Sequence, residues 1–181
     1  MREIAERRGW PVAVHGLPAV LHNRPGKIPA LAKRAVVSAL DNGHRVALAY
    51  ADCGSYGALD QLCSKYGVQR LGGLHCYDVF AGPARMAELF DAEPGTYVLT
   101  DFLLRGFDRL VINSLGLDRY PQLWTDYFGH YRRLVWLTQA DPDAALSAEA
   151  DRVAGLFGLP LTRVATGVDR LERELERLVA P

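Results

Sequence analysis

Short apolar segments alternate with amphipathic segments along the chain, and this alternation constrains the fold more than any other feature of the sequence. Six segments predict strands: PVAVH (11–15), RVALAY (45–50), VQRL (68–71), TYVLT (96–100), LVWLT (134–138) and PLTRVA (160–165). Between them, apolar residues recur at the i, i+3, i+4 spacing of a helix face, as from Ile28 to Leu40. Strands that alternate with helices favour a mainly parallel sheet covered on both faces. We therefore predict a single α/β domain over residues 1–181, doubly wound and Rossmann-like.

The charge and composition exclude several classes of partner. Lys plus Arg equals Asp plus Glu at 21 each, and no basic block is present, so we expect no nucleic-acid partner. No stretch approaches the roughly 18 apolar residues that span a bilayer, so we expect no membrane contact. The charged start, MREIAERRGWP, is unlike a secretory signal. Three cysteines in an odd set predict a reducing, cytoplasmic location.

Chemically active residue types cluster directly after the predicted strands. In a parallel sheet, ligands bind beyond the carboxyl ends of the strands. The segments at these ends contain most of the Asp, Cys, His and Arg candidates: GLPAVLHNRPG, ADCGSYG, GGLHCYDVFAG and DFLLRGFD.

Two of these segments predict a site with thiol ligands. Cys53 follows a strand and opens a helix, where a thiol tends to ionise and becomes a nucleophile or a soft metal ligand. His75 and Cys76 would add one or two more ligands, enough for a zinc or iron site with an open position. The alternatives are a small residue at a tight turn for Cys53, and a buried thiol beside a hydrogen-bonded histidine for the pair. Cys63, on a predicted helix over 55–66, is expected to be buried and inert.

Carboxylates and one cationic loop complete the predicted site. Asp52 and Asp101 each follow a strand directly and are candidate catalytic residues, as a base or as a partner that orients His75. Each is equally suited to cap a helix. His22, Asn23 and Arg24 are expected to bind a small anionic molecule, with Arg105 as a further contact, although HNRPG also fits a solvated turn. DCGSYG lacks both nucleotide-binding glycine patterns, so no nucleotide is expected.

Several long motifs resemble a known family. LPAVLHNRP, YADCGSYGALD, GLHCYDVFAG, GTYVLTDFLLRGFD, GLDRYPQL and YFGHYRRLVWLTQ occur in the order of the bacterial and archaeal family catalogued as domain of unknown function 1638. The resemblance covers about residues 10–170. It implies a context of corrinoid-dependent methyltransferases and one-carbon metabolism, without a settled activity.

The chain departs from that family at its start. Family members usually begin with an additional strand that ends in Ala-Cys-Gly, and MREIAERRGWP has no counterpart to it. The resemblance therefore implies either a start further upstream or a version that lacks the family's first strand and one cysteine.

Three functions follow as hypotheses. The first is a metal-binding protein in corrinoid-linked methyl or one-carbon transfer, with Cys53, His75 and Cys76 as ligands. The second is a metal-free enzyme with Cys53 as nucleophile and His75 as its base. The third is a non-catalytic module that docks on a methyltransferase or corrinoid protein through the aromatic segment 120–133, which equally fits a helix packed on the sheet.

Overall fold

The protein is a mixed α/β structure with two small parallel sheets. The computed structural model describes residues 1–180, apart from the side chain of His22. The helices are α1 (Arg2–Arg7), α2 (Ile28–Asp41), α3 (Ala58–Tyr66), α4 (Cys76–Ala81), α5 (Pro83–Ala92), α6 (Asp101–Arg105), α7 (Trp124–Phe128), α8 (Ala144–Phe157) and α9 (Asp169–Val179). The strands are β1 (Ala47–Leu48), β2 (Gln69–Arg70), β3 (Thr96–Thr100), β4 (Arg133–Thr138) and β5 (Leu161–Ala165). Short 3-10 turns cover Ala19–Asn23, Pro25–Lys27 and Pro121–Leu123, and a π-helical turn covers Asp108–Asn113.

The chain forms two compact units. Unit 1 comprises Met1–Val79 together with the C-terminal segment that begins at Asp169, and unit 2 comprises Phe80–Val168. The prediction of one domain over the whole chain stays a prediction, and each unit is described by itself.

Unit 1 is built around the parallel pair β1–β2. Ala47 pairs with Gln69 and Leu48 with Arg70, and the Leu71 N–H extends the pairing by donating to the Leu48 carbonyl over 3.0 Å. Helices α2 and α3 supply most of the core, which consists of Leu21, Ile28, Ala32, Val36, Leu48, Leu59, Leu62, Cys63 and Val68. The predicted burial of Cys63 is confirmed.

Unit 2 contains a three-stranded parallel sheet in the order β3–β4–β5. The central strand, β4, is buried at every position after Arg133, as its unbroken apolar run LVWL predicts. Trp124 and Phe128 of the aromatic segment pack against Phe157 of α8, with ring centroids 5.0 and 4.9 Å away. Phe128 also packs against Tyr97 of β3, with ring centroids 5.7 Å apart, so the expected packing on the sheet is seen for Phe128, while Tyr127 stays exposed.

Five of the six predicted strands are confirmed, and the sixth prediction is wrong. PVAVH forms no strand, although it alternates as a half-buried strand would. Residues 11–15 are mostly exposed, and the Val12 N–H donates to the carbonyl of Trp10, two residues back. Alternation alone does not make a strand, because the strand conformation is stabilised by pairing with a neighbour.

Among the described residues, no helix is both long enough and apolar enough to cross a bilayer.

A leucine pair tests this description of unit 2. Leu134 of β4 has no exposed surface, whereas Leu156 of α8 is 45% exposed. Because truncation of Leu134 leaves a cavity in the core, Leu134→Ala is expected to lower the free energy of unfolding by about 2–5 kcal/mol. Leu156→Ala, the matched control, is expected to change it by no more than about 0.5 kcal/mol. Urea unfolding measures both, and equal losses would contradict the assignment.

Candidate functional site

The loops that follow β1 and β2 are joined side by side through their backbones. The Asp52 N–H donates to the Gly73 carbonyl over 3.1 Å, and the Cys53 N–H donates to the Leu74 carbonyl over 2.8 Å. These bonds continue the parallel pairing of the two strands beyond their carboxyl ends. The two predicted thiol segments therefore emerge at the same edge of the sheet.

Asp52 holds the first loop in its turn. Its buried carboxylate accepts hydrogen bonds from the Ser55 hydroxyl at 2.6 Å, the Gly57 N–H at 2.9 Å and the Tyr56 N–H at 3.0 Å. The hydrogen bond from Ser55, followed by those from the two backbone groups, lowers the pKa of the Asp52 carboxyl. A carboxylate engaged in this way positions the turn. The catalytic role predicted for Asp52 stays a prediction.

The turn itself has an unusual backbone. Cys53 has φ 49° and Tyr56 has φ 52°, a left-handed conformation that L-residues other than Asn and Asp rarely adopt. Each such residue costs on the order of 1 kcal/mol or more, and such strain clusters at functional sites. Gly54, at φ 79°, also allows a close approach, because a Cβ there would lie 3.2 Å from Cβ of Pro25. The HNRPG loop therefore packs directly against the cysteine turn.

Asp78 holds the second loop in the same manner. Its buried carboxylate accepts from the Leu74 N–H at 2.8 Å and the His75 N–H at 3.1 Å. Gly73, at φ 97°, is required there, because a Cβ at this position would lie 2.8 Å from Cβ of Asp78. The Arg170 side chain of α9 donates to the Asp78 carbonyl over 3.1 Å and ties the loop to the C-terminal helix.

Arg70, the last residue of β2, holds the same loop in place. Its guanidinium forms a two-bond ion pair with Asp60 of α3, at 2.6 and 2.9 Å. It also donates to the Leu71 carbonyl at 2.7 Å. The side chain thereby links α3 to the start of the thiol loop.

These restraints bring the loop of Cys53 beside the start of α4. The Cys53 N–H donates to the Leu74 carbonyl over 2.8 Å, and Cys76, two residues after Leu74, is the first residue of α4. Both cysteines are free and half-buried. The hydrogen bond from Cys76 lowers the pKa of the Cys53 thiol to about 7, although burial opposes this. The same hydrogen bond, with burial and the charge on Cys53, raises the pKa of Cys76, which therefore keeps its proton.

The other predicted residues of unit 1 lie on the same loops or beside them. The His75 ring is exposed and stacks on Tyr77, with centroids 6.3 Å apart and planes 8° from parallel. Arg24 is exposed and precedes the Pro25 that contacts the cysteine turn, and Asn23 is half-buried. The side chain of His22 lies outside the described residues.

Asp101 and Arg105 belong to unit 2. The Asp101 carboxylate accepts from the Trp136 indole N–H at 2.8 Å and from the Gln139 N–H at 3.0 Å, while its own N–H donates to the Gln139 side chain at 2.9 Å. These bonds join the ends of β3 and β4. The cap of α6 is Thr100, whose hydroxyl accepts from the Leu103 N–H at 3.2 Å. Arg105 is exposed in the last turn of α6. The catalytic and substrate-binding roles predicted for these two residues stay predictions.

The sequence reasoning missed two residues of this site. Asp78 lies three residues after His75, in the first turn of a helix, the spacing at which a carboxylate reaches back to free N–H groups. Tyr50, the last residue of the run RVALAY, packs against the unit 1 core near the thiols. Burial, and then the charges on Cys53 and Cys76, raise the pKa of its phenol.

The predicted metal site requires at least three ligand side chains close together. Within residues 1–180, apart from the side chain of His22, no group of three or more His, Cys, Asp or Glu side chains is arranged to hold a metal ion. Cys53 and Cys76 supply two sulfurs, one fewer than the three protein ligands of a catalytic zinc site. The described residues therefore do not complete such a site, and zinc or iron stays a prediction.

A comparison with known families covers both loops. Residues 16–175, well over half of the chain, match the family described as "Protein of unknown function (DUF1638)". The chain belongs to this family. The resemblance inferred from the motifs is confirmed, and both cysteines and both loop-holding aspartates lie within the matched residues of the DUF1638 family. No curated protein and no solved structure matches the chain.

Asp52→Asn tests the structural role of this carboxylate. Because the folded protein lowers the pKa of Asp52 below the unfolded value of about 3.9, its stabilisation is present above that pH and is lost as the pH falls through the folded value. We expect the variant to lose about 1–3 kcal/mol of unfolding free energy at pH 7 and progressively less below pH 4. Urea unfolding across pH measures this, with the exposed Asp91→Asn as control. A loss that does not change with pH would contradict the assignment.

Proposed function

We propose that this protein is a thiol-dependent enzyme in which Cys53 is the nucleophile. The observation that carries the proposal is the backbone pairing of the two loops, which places half-buried Cys53 beside the segment that leads into Cys76. A thiolate, not a thiol, is the attacking species, and hydrogen-bond donors that stabilise it raise its population near neutral pH. Hydrogen bonding from Cys76 lowers the pKa of the Cys53 thiol to about 7 in this way.

The surroundings of the thiols support a small substrate that bears an anionic group. Arg24, on the loop that packs against the cysteine turn, is exposed and offers a planar cation for carboxylate or phosphate. The same two loops also carry exposed aromatic and apolar side chains, since Tyr56 is 94% exposed and Leu74 69% exposed. Together they favour a ligand with one charged end and one apolar part.

The proposed reaction is group transfer to sulfur. The Cys53 sulfur attacks an electrophilic carbon, a sulfur–carbon bond forms, and the bond from that carbon to its carrier breaks. The carrier leaves with the electron pair. A methyl or other one-carbon group fits the corrinoid-linked context that the family resemblance implies, and it forms part of this proposal.

We also propose that the fold is a doubly wound, Rossmann-like arrangement. The parallel pairing in both sheets supports it, as do the helices that follow β3 and β5 in the sequence. Docking on a methyltransferase or corrinoid protein stays a separate prediction.

The pH dependence of alkylation tests the proposed nucleophile. We expect iodoacetamide to modify Cys53 of the native protein with a midpoint of about pH 7. Cys76→Ala removes the side-chain donor, so the midpoint is expected to rise toward the ordinary thiol value of about 8.5. Cys76→Ser keeps a hydroxyl donor and is expected to restore part of the shift. Peptide mapping by mass spectrometry follows each cysteine.

Cys63 is the internal control for this experiment. Burial raises the pKa of its thiol, so it is expected to stay unmodified until the protein unfolds. An alkylation midpoint for Cys53 that is equally high in the wild type and in Cys76→Ala would overturn the proposal.

A further inference from the structure

The two cysteines lie on neighbouring segments, and this placement points to a second reaction. Cys53 is on the loop after β1 and Cys76 begins α4, and each segment is fixed by its own buried aspartate. The Cys53 N–H donates to the Leu74 carbonyl over 2.8 Å, two residues before Cys76, and both cysteines are free thiols. Paired thiols of which one is nucleophilic and partly accessible are the arrangement found in redox-active cysteine sites.

We propose that Cys53 and Cys76 form a reversible disulfide by exchange with a low-molecular-weight disulfide. Cys53 is the attacking cysteine and Cys76 is the resolving one. The inference rests on the nucleophilic Cys53 of the proposed function, and it adds a partner cysteine and an oxidant class to that site.

The first step breaks the sulfur–sulfur bond of the small disulfide, which is the oxidant. The Cys53 thiolate attacks one sulfur of the small disulfide, a new sulfur–sulfur bond forms, and the original bond breaks. The leaving thiolate takes a proton from solvent. Cys53 now carries a mixed disulfide and has no charge.

Loss of that charge prepares the second step. With Cys53 uncharged, Cys76 ionises without repulsion from a neighbouring thiolate. Cys76 releases its proton to solvent and attacks the sulfur of Cys53, and the second small thiol leaves. In the net reaction two protein thiols lose two electrons and two protons, and one small disulfide becomes two small thiols.

The closed disulfide would switch off the proposed nucleophile. In the disulfide, the Cys53 sulfur is bonded to Cys76 and is no longer a thiolate. It therefore cannot attack a substrate carbon. Reduction by a small dithiol would return both cysteines to the state seen in the structure. The site would therefore respond to the thiol–disulfide balance of its surroundings.

Incubation of the reduced full-length protein with bis(2-hydroxyethyl) disulfide tests the proposal. After the protein is unfolded in denaturant and trapped with iodoacetamide, the wild type is expected to have lost two of its three alkylatable thiols without carrying an adduct. Peptide mapping should recover a Cys53–Cys76 disulfide that dithiothreitol reverses. The Cys63→Ser variant, the matched control, is expected to form the same disulfide.

Single variants separate the two cysteines. Cys76→Ser is expected to stop at the mixed disulfide and to carry one adduct on Cys53. Cys53→Ser is expected to form neither product. A wild-type protein that keeps a stable adduct on Cys53, or that forms no disulfide while iodoacetamide still modifies Cys53 near neutral pH, would overturn the inference and leave the proposed nucleophile intact. Absence of both reactions at Cys53 would overturn both proposals.

Discussion

The site depends on the backbone pairing of the loops after β1 and β2. Two N–H groups, of Asp52 and Cys53, donate across to the other loop and extend a parallel pair that is otherwise only two residues long. So short a strand pair has little stability of its own. Buried Asp52 and Asp78 supply the missing restraint, because each carboxylate accepts N–H groups of its own loop that would otherwise be unsatisfied.

Within this pairing, a cysteine occupies a left-handed position. The loop after β1 turns at Cys53, where the backbone has φ 49°. Glycine would adopt the same backbone without strain. A cysteine at a position where glycine would carry no strain is consistent with the proposed role of its thiol.

The sequence predicted the elements better than the contacts between side chains. Apolar runs such as TYVLT located the strands because burial on both faces has a direct sequence pattern. The edge position of Cys53 and Cys76 followed from parallel topology. The sequence could not show whether His75 or Cys76 lies closer to Cys53, because the two residues are neighbours. The geometry of the turn decides this. PVAVH failed for a related reason, since its pattern is that of a strand but no strand pairs with it.

Arsenical capture tests the central claim, the proximity of the two thiols, most directly. Phenylarsine oxide binds tightly only where one arsenic atom bridges two nearby thiols. The reduced protein is expected to bind one equivalent, to retain it in Cys63→Ser, and to lose it in Cys53→Ser and in Cys76→Ser. Tight binding that survives both of the latter substitutions, or no tight binding by the wild type, would contradict the account.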